Sequence, residues 1–172
     1  GRIGFATAKR LHRGWGMKVL YTARTPKPDA DRELNATRVE LPQLLAESDF
    51  VSVHTDLNPS TKGMFGTAAF AAMKRTAVFV NTSRGPLVDQ PALAEALRSG
   101  TIFAAGLDVT DPEPLPPSHE LYSLPNCVIV PHIASATIDT RNAVARKAAA
   151  NLLAGLRGDP LPDFVNPEVR GK

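Results

Sequence analysis

The sequence predicts an α/β fold in which helices cover both faces of a doubly wound parallel sheet. Segments with apolar residues at helical spacing alternate with short apolar runs that are typical of buried strands. Three of these runs lead directly into polar loops, and they are Val78 to Asn81, Ala104 to Asp108 and Val128 to Val130. Because ligands of open parallel sheets lie at the carboxyl ends of the strands, we expect a ligand site at this edge.

Composition sets the limits of this interpretation. The 172 residues are the size of one ordinary domain, and the 43% that are hydrophobic supply a core. The net charge of +3 comes from basic residues scattered along the chain, which give little support for nucleic-acid binding and fit a small phosphate-bearing ligand as well. The single cysteine excludes an internal disulfide and favours a reducing compartment. We expect a cytoplasmic protein with no membrane, nucleic-acid or metal partner, and an organellar location stays open.

The first helix and strand resemble half of a β-α-β unit. Apolar residues at helical spacing predict a helix from Gly4 to Arg13, and Met17 to Tyr21 predicts a strand. Gly1 and Gly4 then match the second and third glycines of the G-x-G-x-x-G dinucleotide fingerprint. We therefore expect a Rossmann-type sheet in which the backbone amides at the helix start, from Gly1, Arg2 and Ile3, hold a pyrophosphate.

The end of the next strand carries cations where the fingerprint expects an acid. A carboxylate about 20 residues after the glycines binds the ribose hydroxyls of NAD. The segment Tyr21 to Lys27 contains no carboxylate and offers Arg24, Thr25 and Lys27. A guanidinium can fork onto a 2′-phosphate, so the sequence predicts that Arg24 and Thr25 bind the cofactor, with NADP preferred and NAD possible. The alternative is that Arg24 and Lys27 form a solvated turn.

The remaining elements continue the alternation. Thr67 and Asp89 are predicted to cap helices, and Gly100 and Gly158 to end them. The predicted helices are Asp29 to Asn35, Leu41 to Glu47, Thr67 to Met73, Asp89 to Arg98 and Ile138 to Leu156, with a strand at Asp49 to His54.

Three side chains follow directly on buried strands. Arg84, Glu113 and His132 each lie just past a strand end, so they can converge on one cleft. Each also has an ordinary structural interpretation. Arg84 can be a surface turn, Glu113 a solvated loop acid and His132 a histidine at the edge of the core.

The motifs together resemble a known family. They are Gly1 to Gly4, Asn81 to Gly85, Ala105 to Val109, Asp111 to Pro114 and Pro131 to Ser135, in order and at the expected separations. This set resembles the D-isomer-specific 2-hydroxyacid dehydrogenases. Within that family, Leu20 to Arg24 and Asn151 to Gly158 resemble the glyoxylate and hydroxypyruvate reductase branch.

The resemblance implies a domain organisation. Family members have a first strand, a first glycine and a substrate domain before the position of Gly1, so we expect a truncated sheet and a chain that is inactive by itself. Residues 1–136 would form the dinucleotide-binding domain without its first strand. Residues 137–172 would form the crossover helix and the return segment to the absent substrate domain. Family members also lead us to expect a homodimer.

The resemblance also implies a reaction and residue roles. A hydride from NAD(P)H would reduce a small 2-oxo acid, such as glyoxylate or hydroxypyruvate, to the D-2-hydroxy acid. Arg84 would bind the substrate carboxylate, His132 would act as the general acid, and Glu113 would orient His132 and raise its pKa. Further cofactor contacts are expected from Thr82, Ser83, Asp108 and Ser135. Glutamate at position 113 argues against formate dehydrogenases, which resemble this pattern but carry glutamine there.

Two other functions remain open at this point. The C-terminal-binding corepressors share the fold and the Arg, Glu and His pattern, and act chiefly as dinucleotide-sensing partners. The third interpretation is a cofactor-binding fragment without catalysis. Turnover or its absence separates the reductase from both.

Overall fold

The computed structural model describes residues 1–169. Two compact units divide the chain, the first spanning Gly1–Pro131 and the second beginning at His132. The first unit contains every strand of the described chain, and the second contains one long helix and a return segment. In residues 1–169, no helix has both the length and the apolar character needed to cross a membrane.

All strand pairs in the first unit are parallel, as the sequence predicts. The strand bounds are Leu20–Tyr21 for β1, Thr37–Arg38 for β2, Phe50–Val53 for β3, Val78–Asn81 for β4, Ala104–Leu107 for β5 and Cys127–Ile129 for β6. One sheet has four strands in the order β3-β4-β5-β6, and a second pairs β1 with β2. The register pairs Val53 with Asn81 and Asn81 with Leu107, so the carboxyl ends of β3, β4 and β5 are level.

Helices alternate with these strands, which confirms the α/β class. Their bounds are Arg2–Trp15 for α1, Pro28–Leu34 for α2, Leu41–Glu47 for α3, Thr67–Ala71 for α4, Gln90–Arg98 for α5 and Ile138–Arg157 for α6. Proline lies in the first turn of α2, α3 and α5, where its missing N–H costs nothing. Asp89 caps α5 by accepting a hydrogen bond from the Ala92 amide at 3.0 Å.

The first unit has two apolar cores. The larger core packs β3, β4 and β5 against α4 and α5, with Phe79 fully buried between Phe65 and Phe70. The Phe79 and Phe70 rings meet edge to face with their centroids 5.4 Å apart. The smaller core lies beside β1 and β2 and is formed by Ala30, Leu34 and Ala36, with Phe5 and Ala8 of α1 packed against it. The large core thus supports the strands whose ends carry Arg84 and Glu113.

Several predicted boundaries are wrong. Thr67 is the first residue of α4 and not its cap, because Gly66 occupies the cap position without a side-chain bond, and the helix ends at Ala71. The strand predicted from Met17 to Tyr21 shortens to β1, because its partner β2 contributes only two paired residues. β2 itself has no counterpart among the predicted strands, since its two exposed residues carry no apolar pattern.

The second unit contains α6, which is capped at both ends. Thr137 accepts a hydrogen bond from the Thr140 amide at 3.1 Å, and Gly158 ends the helix at a φ of 74°. The return segment is tied to α6 through Asp163, whose carboxylate pairs with Lys147 and accepts from the Asn151 side chain. The Lys147 ammonium holds the pKa of Asp163 below its ordinary value.

The loops after β4 and β5 touch through their backbones at Gly85. A Cβ placed on Gly85 would lie 1.9 Å from the Thr110 carbonyl oxygen and 2.1 Å from the Thr110 carbonyl carbon. No L side chain fits at that separation. Glycine at this position therefore permits the close approach of the two loops.

Gly85→Ala is expected to destabilise the protein by about 3 kcal/mol, the upper end of the range for overpacking, because the clash is with backbone. Urea unfolding of the variant and its parent measures the difference. Gly14→Ala is the matched control, since Gly14 is exposed in α1 and its Cβ would meet nothing within 4 Å. The control should stabilise by about 0.5 kcal/mol. Equal stability of Gly85→Ala and its parent would contradict the predicted clash.

Candidate active site

A buried asparagine fixes the turn that carries Arg84. Asn81 ends β4 and is 0% exposed. Its Oδ1 accepts a hydrogen bond from the Ser83 amide at 3.0 Å, and its Nδ2 donates to the Arg84 carbonyl at 2.9 Å. The Ser83 hydroxyl donates to the carbonyl of Val53, at the end of β3, at 2.8 Å. The turn is thus held to two strand ends, and Thr82 and exposed Arg84 lie on it.

Arg84 itself extends from this rigid turn. Its backbone is extended, and its guanidinium Nη1 donates to the Ser83 carbonyl at 2.6 Å. Arginine has five N–H donors in a planar fork. The remaining donors suit a carboxylate, which accepts two parallel hydrogen bonds from such a fork.

The loop after β5 carries the two predicted acids in different environments. Asp108 is 4% exposed, and its amide donates to the Asn81 carbonyl at 2.9 Å. Glu113 belongs to an exposed stretch in which the peptide bonds before Pro112 and Pro114 are both cis. Its Oε2 lies 3.4 Å from the Thr110 amide. The fold thus buries one acid at the strand end and presents the other at the surface.

The first turn of α1 follows a glycine. Gly1 occupies the cap position of the helix. Arg2 and Ile3 are exposed. The first amides of an α-helix have no intrahelical acceptor, and the helix dipole favours an anion there. The amides of this first turn suit the pyrophosphate of a dinucleotide.

Gly4 serves a different purpose at the same helix end. A Cβ on Gly4 would lie 3.1 Å from the Cβ of His54, just past β3. The missing side chain therefore allows α1 to approach the strand end closely, which is the task of the third glycine of the fingerprint. His54 Nε2 lies 2.9 Å from the Ser52 hydroxyl, and burial lowers the pKa of His54 below its ordinary value.

The loop after β1 gathers three cations, one of which was not predicted. Arg24, Thr25 and Lys27 are exposed, and Lys27 Nζ donates to the Thr25 hydroxyl at 3.1 Å. Arg38 joins them from the end of β2, where its Nη2 donates to the Ala23 carbonyl at 2.8 Å. In the sequence, only the charge of Arg38 indicates a role at this site. The pairing of β2 with β1 in the structure brings Arg38 to the loop.

His132 and Ser135 begin the second unit. His132 is exposed and has a φ of 53°, in the left-handed region that non-glycine residues rarely adopt. Such outliers concentrate at functional sites. Ser135 lies in the following turn, which the Ala136 amide closes on the Ile133 carbonyl at 2.9 Å.

The structure thus brings together part of the predicted site. Within the first unit, the loops of Arg84 and Glu113 meet at Gly85. His132 and Ser135 belong to the other unit. The pairing of His132 with Glu113 stays a prediction.

The comparison with protein families decides what the chain is related to. Residues 1–134 match the model described as the NAD binding domain of D-isomer specific 2-hydroxyacid dehydrogenases. The chain belongs to this family. The resemblance inferred from the motifs is thereby confirmed, and the domain is one that binds a nicotinamide dinucleotide.

Two relatives with assigned names show that the chain is similar to the glyoxylate and hydroxypyruvate reductase branch of the family. The chain is 54% identical over 162 residues to the glyoxylate reductase/hydroxypyruvate reductase of Homo sapiens, covering 94% of this chain and 49% of the relative. It is 48% identical over 172 residues to the glyoxylate/hydroxypyruvate reductase B of Serratia proteamaculans, covering 100% of this chain and 53% of the relative. The chain thus spans about half the length of the curated relatives it matches.

Solved structures agree on the fold. The TT0316 protein from Thermus thermophilus matches with a TM-score of 0.89 and 54% identity over 96% of this chain and 51% of that one. D-lactate dehydrogenase with NAD+ from Lactobacillus jensenii matches with a TM-score of 0.88 and 32% identity, over 96% and 53% of the two chains. The Rossmann-type fold is therefore confirmed.

Asn81→Ala is expected to destabilise the protein by about 1–3 kcal/mol, because it leaves the Ser83 amide and the Arg84 carbonyl without their partner. Thermal or urea unfolding measures the loss. Asn142→Ala is the control, since Asn142 is exposed on α6 and its loss should cost about 0.5 kcal/mol or less. Similar losses in both variants would show that Asn81 does not hold the turn.

Proposed function

We propose that the complete protein reduces a small 2-oxo acid, such as glyoxylate or hydroxypyruvate, to the D-2-hydroxy acid with NAD(P)H. The observation that carries this proposal is the contact of the Arg84 loop with the Glu113 loop at the ends of β4 and β5. It occurs in a family member whose relatives are named as reductases of these two acids. Those names also favour the reductase over a dinucleotide-sensing corepressor.

The cofactor would lie across the carboxyl edge of the sheet. In this proposal, the amides of Gly1, Arg2 and Ile3 at the start of α1 would hold the pyrophosphate. The residues we expect to contact the nicotinamide and its ribose are Thr82, Ser83, Asp108 and Ser135. The Ser83 hydroxyl donates to Val53, so it would offer its remaining lone pairs. When bound, the reduced nicotinamide supplies the hydride.

Arg84 would bind the substrate. Its guanidinium can accept the 2-oxo acid carboxylate in a bidentate pair and polarise the neighbouring carbonyl oxygen. The hydrogen bonds of Asn81 hold the backbone of this turn before the substrate arrives, so little backbone conformational entropy would be lost on binding.

His132 would supply the proton that the developing alkoxide needs. A protonated imidazole near neutral pH requires a stabilising charge, and Glu113 is the carboxylate we assign to this task. A hydrogen bond from the far ring nitrogen to Glu113 would also fix the orientation of the ring. In the reverse direction, neutral His132 would act as the base.

NADPH is the preferred cofactor in this proposal. Arg24 and Lys27 supply exposed cations at the end of β1, and Arg38 braces the loop through the carbonyl of Ala23. A dianionic 2′-phosphate is attracted by such a group, whereas an NAD ribose would need a carboxylate there.

The family resemblance supports a homodimer, and the single cysteine favours a reducing compartment. We propose that the complete protein is a homodimer and that it acts in the cytoplasm. Sedimentation of the purified protein tests the first, and fluorescence microscopy of a tagged complete protein tests the second.

His132→Ala is expected to lower kcat by about 100- to 10,000-fold, the usual contribution of a positioned general acid. The assay follows NADPH oxidation with hydroxypyruvate and glyoxylate, using the product of the complete reading frame that encodes this chain. His119→Asn is the control, because asparagine keeps an acceptor for the Leu121 amide that His119 caps. Normal turnover of His132→Ala would reject the assignment. Dinucleotide binding by the parent without turnover would support a sensor instead.

Arg24→Asp is expected to lower kcat/KM with NADPH by at least about tenfold, because a carboxylate repels the 2′-phosphate. The kcat/KM with NADH is expected to stay the same or to rise. Initial rates with both cofactors measure the change. Arg75→Asp is the control, since Arg75 is exposed and precedes β4, at the opposite edge of the sheet. If the ratio of kcat/KM with NADPH to kcat/KM with NADH is unchanged in Arg24→Asp, the loop after β1 is a solvated turn that does not select the cofactor.

A further inference from the structure

A glutamine at the start of α5 holds the loop that carries Glu113. Gln90 is 6% exposed. Its Nε2 donates to the Asp111 carbonyl at 2.5 Å, and its Oε1 accepts from the Asp111 amide at 2.9 Å. One side-chain amide therefore satisfies both backbone groups of a single residue, in the way that a neighbouring strand would.

We call the two hydrogen bonds between Gln90 and Asp111 the clamp. Its residue Gln90 lies on a helix that is fixed at its start and buried along one face. Asp89 caps α5 through the Ala92 amide, which fixes Gln90 as the first residue of the helix. Leu93, Ala94 and Leu97 on the same helix are buried in the large core. Gln90 thus connects a helix that cannot shift freely to a loop that lies beyond the last residue of β5.

The clamp acts beside a second contact between the same two segments. Gly85, one residue after Arg84, packs against the Thr110 carbonyl, and Gln90 holds the next residue, Asp111. The segment from Gly85 to Gln90, which follows Arg84, therefore contacts Thr110 and Asp111. Glu113 lies two positions after Asp111. Glu113 is exposed, so its position depends on the path of this backbone.

We propose that Gln90 is a positioning residue that sets the place of Glu113 relative to Arg84 by holding the Asp111 peptide. The inference rests on the proposed function, in which Glu113 orients the general acid. Glutamine suits the position because it offers a donor and an acceptor without charge. A buried carboxylate would add a desolvation cost, and an apolar side chain would leave the Asp111 groups unpaired.

The test is a double-mutant cycle in the complete protein. Gln90→Leu is expected to lower kcat, measured per folded active site with hydroxypyruvate and NADPH, by about 10- to 100-fold, because small displacements of catalytic groups have effects of this size. The Kd for NADPH should stay within about twofold, since the clamp does not touch the proposed pyrophosphate site. Gln43→Leu is the matched control, because Gln43 is exposed on α3 and its side chain donates to Glu47 on the same helix.

The double variant separates positioning from simple stabilisation. If Gln90 acts through Glu113, Gln90→Leu combined with Glu113→Gln is no slower than Glu113→Gln alone. If Gln90 only supports the fold, the fold-losses in kcat of the two single variants multiply in the double variant. That result overturns the inference. Gln90→Asn serves as a second variant where Gln90→Leu does not fold, since it remains polar but cannot reach Asp111, and the same non-additivity is expected.

The failure of this inference can be told from the failure of the proposed function. A slow Glu113→Gln with a Gln90→Leu that turns over normally rejects the role of Gln90 alone. Normal turnover of Glu113→Gln rejects the role of Glu113 in the proposed function, and with it the route by which Gln90 acts.

Discussion

The level register of β4 and β5 is the constraint on which the site depends. Pairing of Asn81 with Leu107 ends both strands at the same height, so the loops of Arg84 and Glu113 leave the sheet side by side. Gly85 then lets the two loops approach to a distance that no side chain allows. A slip of one residue in this ladder would turn every side chain of the strand to the other face of the sheet, and would part the loops.

Buried neutral amides hold the exposed charges in place. Asn81 bonds to the backbone of the Arg84 turn, and Gln90 bonds to the backbone of the Glu113 loop. Both are nearly inaccessible to solvent. An amide donates and accepts hydrogen bonds without the cost of a buried charge, so it can hold the backbone of a loop whose charged side chain is exposed.

The start of α1 and the loop after β1 present different chemical groups. The first turn of α1 presents backbone amides, whereas the loop after β1 presents the exposed side-chain cations of Arg24 and Lys27. Arg38 contributes to that loop from β2, a strand of only two residues. The glycine spacing thus predicts the first group from the sequence, whereas strand pairing is needed to bring Arg38 to the second.

The sequence by itself determined the α/β class, the family, the bounds of α3 and the cap at Asp89, because each depends on a local pattern of apolar spacing, motif or capping chemistry. Only the tertiary structure decided the pairing of β2, the approach of Gly85 to Thr110 and the contact of Gln90 with Asp111, which lie 21 residues apart. Those features depend on which backbone groups become neighbours in space, and no local pattern carries that information.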